Sequence, residues 1–219
     1  MRNKVFKMFV ENRRRCAIIG SKKQKREGTA LYHIARDQRE LKSAAKLSSA
    51  AERLLLSREP QKLSVSLLSS EAGVSRTTFY RLFDEPDDVL QYTADETFRR
   101  ILKGYVDLID RAQKHDLSVP NPRVWYEESV RKNAGLIAGI IHSGKSDILR
   151  TAHKKALREF APVLFPDLDP GTDEFLFFIE MRAAVFIASM TAWVETGERA
   201  SMEDIRRYAA RQLKIFSEE

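Results

Sequence analysis

The sequence predicts an all-α protein with an N-terminal three-helix domain of helix-turn-helix type and a larger C-terminal helical domain. Hydrophobic residues make up 43% of the 219 residues, which is enough to form a buried core. The nine glycines and seven prolines cluster between segments whose apolar residues recur at helical spacing. No segment shows the alternating pattern of a strand. The expected divisions are a basic extension at 1–40, the three-helix domain at 41–86 and the C-terminal domain at 87–219.

One long helix and two short ones, with recognisable start and stop signals, are expected first. An apolar face predicts the long helix from about Leu41 to Arg58, with a start nearer Thr29 as the alternative. Ser64 is a suitable cap for a second helix, and Gly73 follows its last turn. Ser75 then caps a third helix. Its inward-facing residues share the i, i+3, i+4 spacing and are Phe79, Leu82 and Phe83.

A fourth, longer helix is expected to begin at Pro86, since proline suits a first helical position, and to end near His115. Helices of the remaining chain are expected at about 122–134, 136–142, 146–161, 172–197 and 201–217. The helix at 172–197 is apolar on nearly every side. Such a helix must be covered by the core or by another subunit.

The net charge of +7 is unevenly distributed along the chain. Residues 1–46 contain 14 Lys/Arg and 4 Asp/Glu, whereas residues 47–219 contain 24 and 27. A basic block beside a nearly neutral body is typical of an arm that binds polyanions. For residues 1–28 the alternatives are a passive solvated tail or a stretch upstream of the natural start codon.

Several classes of protein are disfavoured by what the sequence lacks. Cys16 is the only cysteine, so neither a disulfide framework nor a cysteine-based zinc site is expected. The longest uncharged apolar run, between Arg182 and Glu195, has twelve residues against about 20 needed to cross a bilayer. No metal-binding, phosphate-loop or dinucleotide motif occurs. We therefore expect a cytoplasmic protein with no membrane partner, no catalytic residues, no metal and no cofactor.

The third helix carries an outward row of polar side chains. Arginine pairs with guanine in the major groove, threonine contacts a base or a phosphate, and tyrosine can bind a phosphate oxygen. An ordinary helical hairpin would show the same glycine turn, so the pattern alone leaves both interpretations open. The residues in the row are Arg76, Thr77, Thr78, Tyr80 and Arg81.

The stretch SVSLLSSEAGVSRTTFYRLFDEPDDVL resembles the DNA-binding region of the TetR family of bacterial transcription regulators. The resemblance implies an all-helical homodimer that binds double-stranded DNA, with a C-terminal domain that dimerises and binds a small effector. By position, Ser75, Arg76, Thr77 and Thr78 would read bases, and Tyr80 would contact phosphate. Ser64 would place the second helix near a phosphate, and Arg81 would add a backbone contact. The matching residues are Ala72, Gly73, Val74, Ser75, Thr78, Phe79, Tyr80, Phe83 and Leu90.

The chain departs from the family pattern at Asp84-Glu85-Pro86-Asp87-Asp88, where the family has a lysine near the DNA backbone in the place of Pro86. Acids favour the first turn of a helix, but here they add negative charge beside the third helix. Two explanations stay open. The basic arm compensates for the lost cation, or the protein is a co-regulator that acts through protein partners with weak or no DNA binding of its own.

The C-terminal half contains candidates for an effector site and a dimer surface. Its aromatic residues suit an apolar pocket, although each could equally be core. The resemblance implies that the helices at 172–197 and 201–217 pair with their copies in a four-helix bundle. The predicted ligand-binding residues are Trp125, Tyr126, His142, Phe178 and Met181, with Glu180 as a further polar candidate.

Overall fold

A computed structural model describes residues 32–34, 37–57, 62–119 and 121–214, and these form nine helices. In chain order the helices are α1 Gln38–Leu55, α2 Val65–Ala72, α3 Arg76–Leu82, α4 Pro86–Lys114, α5 Pro122–Lys132, α6 Ala134–His142, α7 Ser146–Leu164, α8 Asp173–Glu195 and α9 Met202–Lys214. The predicted all-α class and the order of its elements are confirmed. A start of the first helix near Thr29 is wrong, because residues 32–34 are not helical and Asp37 caps the helix that begins at Gln38. The residues after Lys214 lie outside the described residues.

The N-terminal helices are set by local signals in the chain. The Ser64 hydroxyl accepts a hydrogen bond from the Leu67 amide, and the Ser75 hydroxyl accepts one from the Thr78 amide. Gly73 ends α2 in the left-handed conformation, with φ of 61°, which costs glycine little. Gly73 and Ser75 thus end α2 and begin α3 within three residues. One compact core lies beneath them, formed by Ala44, Leu47, Ala51, Leu68, Phe79, Leu82, Phe83, Val89 and Leu90.

Helix α4 belongs to both halves of the molecule. Its first turns, with Val89 and Leu90, complete the N-terminal core, and Phe98, Ile101 and later residues enter the larger C-terminal core. There α4 packs along α7, and α7 packs against α8. One continuous helix therefore contributes to both cores.

Helix α8 has two apolar faces. One is buried and includes Phe175, Ile179, Ala183 and Trp193, whereas the other exposes Leu176, Phe177 and Met181. Among the described helices, α8 alone is long and apolar enough to pass a test for a membrane span, but core helices of soluble proteins pass the same test. The two faces explain its composition, because one packs on the core while the other carries apolar side chains that are exposed.

Candidate functional site

The outer face of α3 brings five of the predicted residues together. Ser75 holds Thr78 through two contacts, accepting from its amide at 3.1 Å and sharing a hydrogen bond with its hydroxyl at 2.9 Å. Arg76, Thr77 and Tyr80 are exposed, and Tyr80 retains 57% of its surface. The inward residues of α3 already form the core, so this polar row has little packing role and faces outward.

Two arginines of this region differ in how they are held. Arg76 Nη2 donates to the Ser66 hydroxyl at 2.6 Å, which places the guanidinium across the turn between α2 and α3. Arg81 Nε instead lies 3.5 Å from Glu40 Oε1 of α1. Arg76 thus extends the polar row, whereas Arg81 points toward α1 although its side chain remains 59% exposed.

The acidic stretch after α3 has partners within the fold. Asp88 is buried, and its Oδ2 accepts hydrogen bonds from the Asp84 and Glu85 amides at 2.9 and 3.0 Å. Asp84 Oδ2 lies 3.2 Å from His33 Nε2, and Asp87 forms an ion pair with Lys145. Asp88 therefore closes the turn before α4. The negative charge next to α3 is smaller than the sequence suggests, because Lys145 offsets one of the carboxylates.

A polar network joins the segment before α1 to the C-terminal domain. The buried Asp95 carboxylate of α4 accepts hydrogen bonds from the Tyr32 hydroxyl at 2.9 Å and from Gln91 Nε2 at 2.8 Å. It also forms an ion pair with Lys155 of α7. Burial, reinforced by the Asp95 charge, raises the pKa of Tyr32 to about 12. Burial opposes the charge on Lys155, but its hydrogen bonds to Asp95 and Tyr32 outweigh that effect and raise its pKa.

The same segment is attached to the end of α3. Tyr32 forms an antiparallel bridge with Phe83, and the His33 amide donates to the Leu82 carbonyl at 2.9 Å. The Tyr32 ring meets the Tyr92 ring edge-on, with centroids 5.3 Å apart. Tyr32 and His33 therefore lie beside the C-terminal end of α3.

A second cluster lies inside the C-terminal domain around His153 of α7. Its ring is buried, stacks on Phe98 with centroids 4.9 Å apart, and meets Phe186 at 4.8 Å. Nε2 lies 3.1 Å from the Tyr126 hydroxyl, whereas Nδ1 is buried without a hydrogen-bond partner. Burial, and then the charge of Arg182, lowers the pKa of His153 to about 3, so the imidazole is neutral near pH 7.

Arg182 of α8 lies at the edge of this cluster. Its guanidinium carbon sits 4.8 Å from the centre of the Phe165 ring and 4.9 Å from that of Phe178. Within the described part of the chain it has neither a hydrogen bond nor an ion pair, although its charge acts on both Tyr126 and His153. Burial lowers the pKa of Arg182. A cation against aromatic faces with no acid beside it is available to an anion.

The predicted ligand-binding residues divide between this cluster and other places. Tyr126 and Phe178 belong to it. Trp125 packs across Gly104 of α4 and donates its indole N–H to the Ile101 carbonyl at 3.1 Å. The other three are found at the surface: His142 is exposed at the end of α6, Met181 lies on the exposed face of α8, and Glu180 pairs with Lys154 and, at 3.8 Å, with Arg158.

Sequence reasoning missed His153 and Arg182. A signal for each existed, because His153 falls at helical spacing on the apolar face that Leu149, Ala152 and Phe160 share. Arg182 is the one cation within the apolar helix α8. The two residues come close together only because α7 packs against α8, and no local sequence pattern predicts this packing.

No protein-family model matches the chain, and no match was found among curated proteins. Three solved structures are similar in fold. The dihydroxyacetone kinase operon activator DhaS is 17% identical (TM-score 0.48; 79% of this chain and 97% of that chain). A TetR transcriptional regulator from Streptococcus agalactiae is 18% identical (0.49; 81% and 96%). The fatty acid degradation regulator FadR from Bacillus halodurans is 16% identical (0.50; 78% and 94%).

The protein has a TetR-like fold. At 16% identity, the similarity to FadR concerns the fold. In the present protein, α2 and α3 form the N-terminal helix-turn-helix. In this TetR-like arrangement α4 connects the α3 surface to the His153 cluster. Among the described residues, no group of three or more His, Cys, Asp or Glu side chains could hold a metal ion.

Proposed function

We propose that the protein is a ligand-responsive transcription repressor that binds a pseudo-palindromic operator as a homodimer in the cytoplasm. The observation that carries the proposal is the exposed polar row of α3, held by a capped helix-turn-helix whose other side is fully used by the core. A row of this kind fits the major groove, where the N-terminal residues of a recognition helix meet base edges.

Within the row, each side chain has a suitable partner on DNA. Arg76 can exchange its single hydrogen bond to Ser66 for the O6 and N7 atoms of a guanine, and Thr77 can contact a thymine methyl group or a phosphate. Tyr80 is exposed enough for its hydroxyl to reach a phosphate oxygen. The N-terminus of α2, capped by Ser64, supplies a further site for a phosphate.

The basic extension adds to this surface in the proposal. Residues 1–31 lie outside the described residues, and they carry 10 Lys/Arg against 2 Asp/Glu. Tyr32, which follows them directly in the chain, is paired with Phe83 beside α3. Since cations near phosphate dominate affinity for DNA, this position supports a role for the arm in place of the missing lysine.

The exposed face of α8 supports the homodimer. Phe177 keeps 68% of its surface and Met181 keeps 50%, next to the exposed Leu176. An apolar surface of this kind favours burial against a second copy of the same helix. Two α3 helices in a dimer would then meet half-sites about 34–36 Å apart, one turn of DNA.

Fluorescence polarisation on DNA from upstream of the coding region tests DNA binding. Arg76→Ala and Tyr80→Ala should each weaken binding, by about tenfold for Arg76, because each removes one contact. Arg111→Ala is the matched control, since Arg111 is exposed on α4, about 37 Å along the helix from Pro86. Deletion of residues 1–28 should reduce both the affinity and the slope of log K against log salt.

Unchanged affinity in both α3 variants would contradict the assigned surface. If the wild type binds no DNA, even among sequences selected from a random pool, the co-regulator that acts through protein partners takes the place of the repressor. Unchanged salt dependence after the deletion would leave the arm without a role in binding.

Sedimentation velocity tests the dimer separately. Met181→Glu should shift the protein toward monomer, because it places a charge in the apolar surface of α8. Leu117→Glu provides the control, since Leu117 is 65% exposed in the connection after α4. A dimer that withstands Met181→Glu and Phe177→Glu would exclude this face.

A further inference from the structure

We propose that the effector is an amphipathic monocarboxylate whose carboxylate binds between Arg182 and His153, an inference that rests on the ligand response proposed above. Three observations converge on this place: an unpaired guanidinium, a buried ring nitrogen without a partner, and aromatic rings on both sides. A carboxylate on an apolar body would supply the negative charge, the hydrogen-bond acceptor and the apolar contacts that these groups lack.

The charge of the site favours a single negative charge. Arg182 supplies one cation, and the groups beside it, Tyr126 and His153, are both neutral near pH 7. A carboxylate would be neutralised by the guanidinium, whereas a phosphate dianion would leave one uncompensated charge next to apolar rings. Arginine also matches the planar carboxylate, because its N–H groups form a fork of two parallel donors.

The hydrogen bonds of the site lead to the same group. We assign the Tyr126 hydroxyl as donor to His153 Nε2, which puts the proton of the neutral imidazole on Nδ1. That N–H is buried without an acceptor, which is unfavourable because its hydrogen bond to water is lost on folding and is not replaced. A carboxylate oxygen at Nδ1 would accept this hydrogen bond, and the nearby Arg182, whose charge acts on His153, would balance the charge of the carboxylate. Tyr126 then acts as a positioning residue that fixes the tautomer.

The rest of the ligand must be apolar. Phe165 and Phe178 cover the guanidinium, with ring centroids 4.7 Å apart, and Phe186 closes the other side against His153. Arg182 itself is exposed, so the anionic group can reach it from solvent, and the body of the ligand would replace ring contacts in the core. An alkyl chain or an aromatic ring would each provide such a body.

Isothermal titration calorimetry with two pairs of probes tests the class of ligand. Octanoate and 2-naphthoate carry the carboxylate on an alkyl and on an aromatic body, and octanamide and 2-naphthamide are their neutral counterparts. At least one carboxylate should bind the wild type at least tenfold more tightly than its amide does. Arg182→Gln should abolish this difference, and His153→Phe, which keeps a ring but removes the donor, should weaken the carboxylate at least threefold.

Arg150→Gln is the matched control, since Arg150 forms a surface pair with Asp147 on α7 and should leave the preference for carboxylate intact. Circular dichroism of each variant shows whether it is folded, and Arg182→Lys, which keeps the charge, should restore part of the preference. Equal affinity for acid and amide, a preference that survives Arg182→Gln, or no saturable binding of either acid would each overturn the inference.

Operator binding by the ligand-free wild type, measured in parallel, separates the two proposals. If the wild type binds DNA but neither carboxylate, the class of ligand is wrong and the repressor stands. If it binds a carboxylate but no DNA, the ligand site stands and the repressor is wrong.

Discussion

Replacing Lys155 with methionine tests whether the Asp95 network joins the two domains. Lys155 pairs with the buried Asp95 and also donates to the Tyr32 hydroxyl at 2.9 Å. Methionine keeps the length of the aliphatic chain and removes the charge and both contacts. Asp95, which is only 6% exposed, would then be left with two neutral donors, Tyr32 and Gln91.

The magnitude follows from how deeply the pair is buried. Removing one partner of a fully buried ion pair costs about 3–5 kcal/mol. Here the Lys155 side chain is 58% exposed, so solvent screens part of the interaction, and the two remaining donors still stabilise the carboxylate. We expect a loss of about 1–3 kcal/mol in the free energy of unfolding, which corresponds to about 2–4 °C in melting temperature per kcal/mol at this chain length.

Urea unfolding followed by circular dichroism measures this loss. Lys103→Met is the matched control, because Lys103 forms an exposed i,i+4 pair with Asp107 at 2.5 Å, worth less than about 0.5 kcal/mol. A second variant, Asp95→Asn, removes the buried charge itself. If Lys155→Met costs no more than Lys103→Met, the reasoning about the buried carboxylate is refuted.

Three further predictions concern packing, protonation and capping. The pKa of His153 is about 3 in the folded protein and near 6.5 in the unfolded protein, so the unfolded state binds one more proton between these pH values. When the pH falls from about 7 to about 5, the free energy of unfolding in urea should therefore fall by about 2 kcal/mol more for the wild type than for His153→Phe. Gly139→Ala should lower the melting temperature, since its Cβ would lie 2.9 Å from Leu55 Cβ, whereas Gly135→Ala meets only the end of an exposed, flexible side chain and should be neutral or stabilising. Ser75→Ala should lower the free energy of unfolding, measured with urea, by about 1 kcal/mol. Ser75→Asp restores a cap and should recover most of this loss.

Much of the N-terminal domain could be predicted because its signals are local. Ser64, Gly73 and Ser75 act within three or four residues of their own positions, through hydrogen bonds to nearby amides or a left-handed φ. Helical spacing likewise indicated that Phe79 and Leu82 face inward, and both are fully buried. The outward position of the polar row could then be predicted, because these residues lie on the opposite face of α3.

The acidic stretch shows where local reasoning ends. In the sequence, four acidic residues follow α3 directly, and this proximity alone predicts that they weaken DNA binding by adding negative charge. In the fold Asp88 turns back onto the amides of Asp84 and Glu85, and Asp87 meets Lys145, which is 58 residues away in the chain. The charge of a carboxylate is felt through its nearest partners, and these are chosen by packing.

The sequence by itself determined the helices, their caps and the residues that face outward on α3, because each depends on neighbours within one or two turns. Only the tertiary structure decided which polar groups are buried together. Lys155 and Tyr32 are 123 residues apart in the chain, and Tyr126 and His153 are 27 apart, yet both pairs share hydrogen bonds. Such groups meet because apolar faces of distant helices pack against each other, and burial then favours hydrogen bonds between the polar groups that are enclosed together.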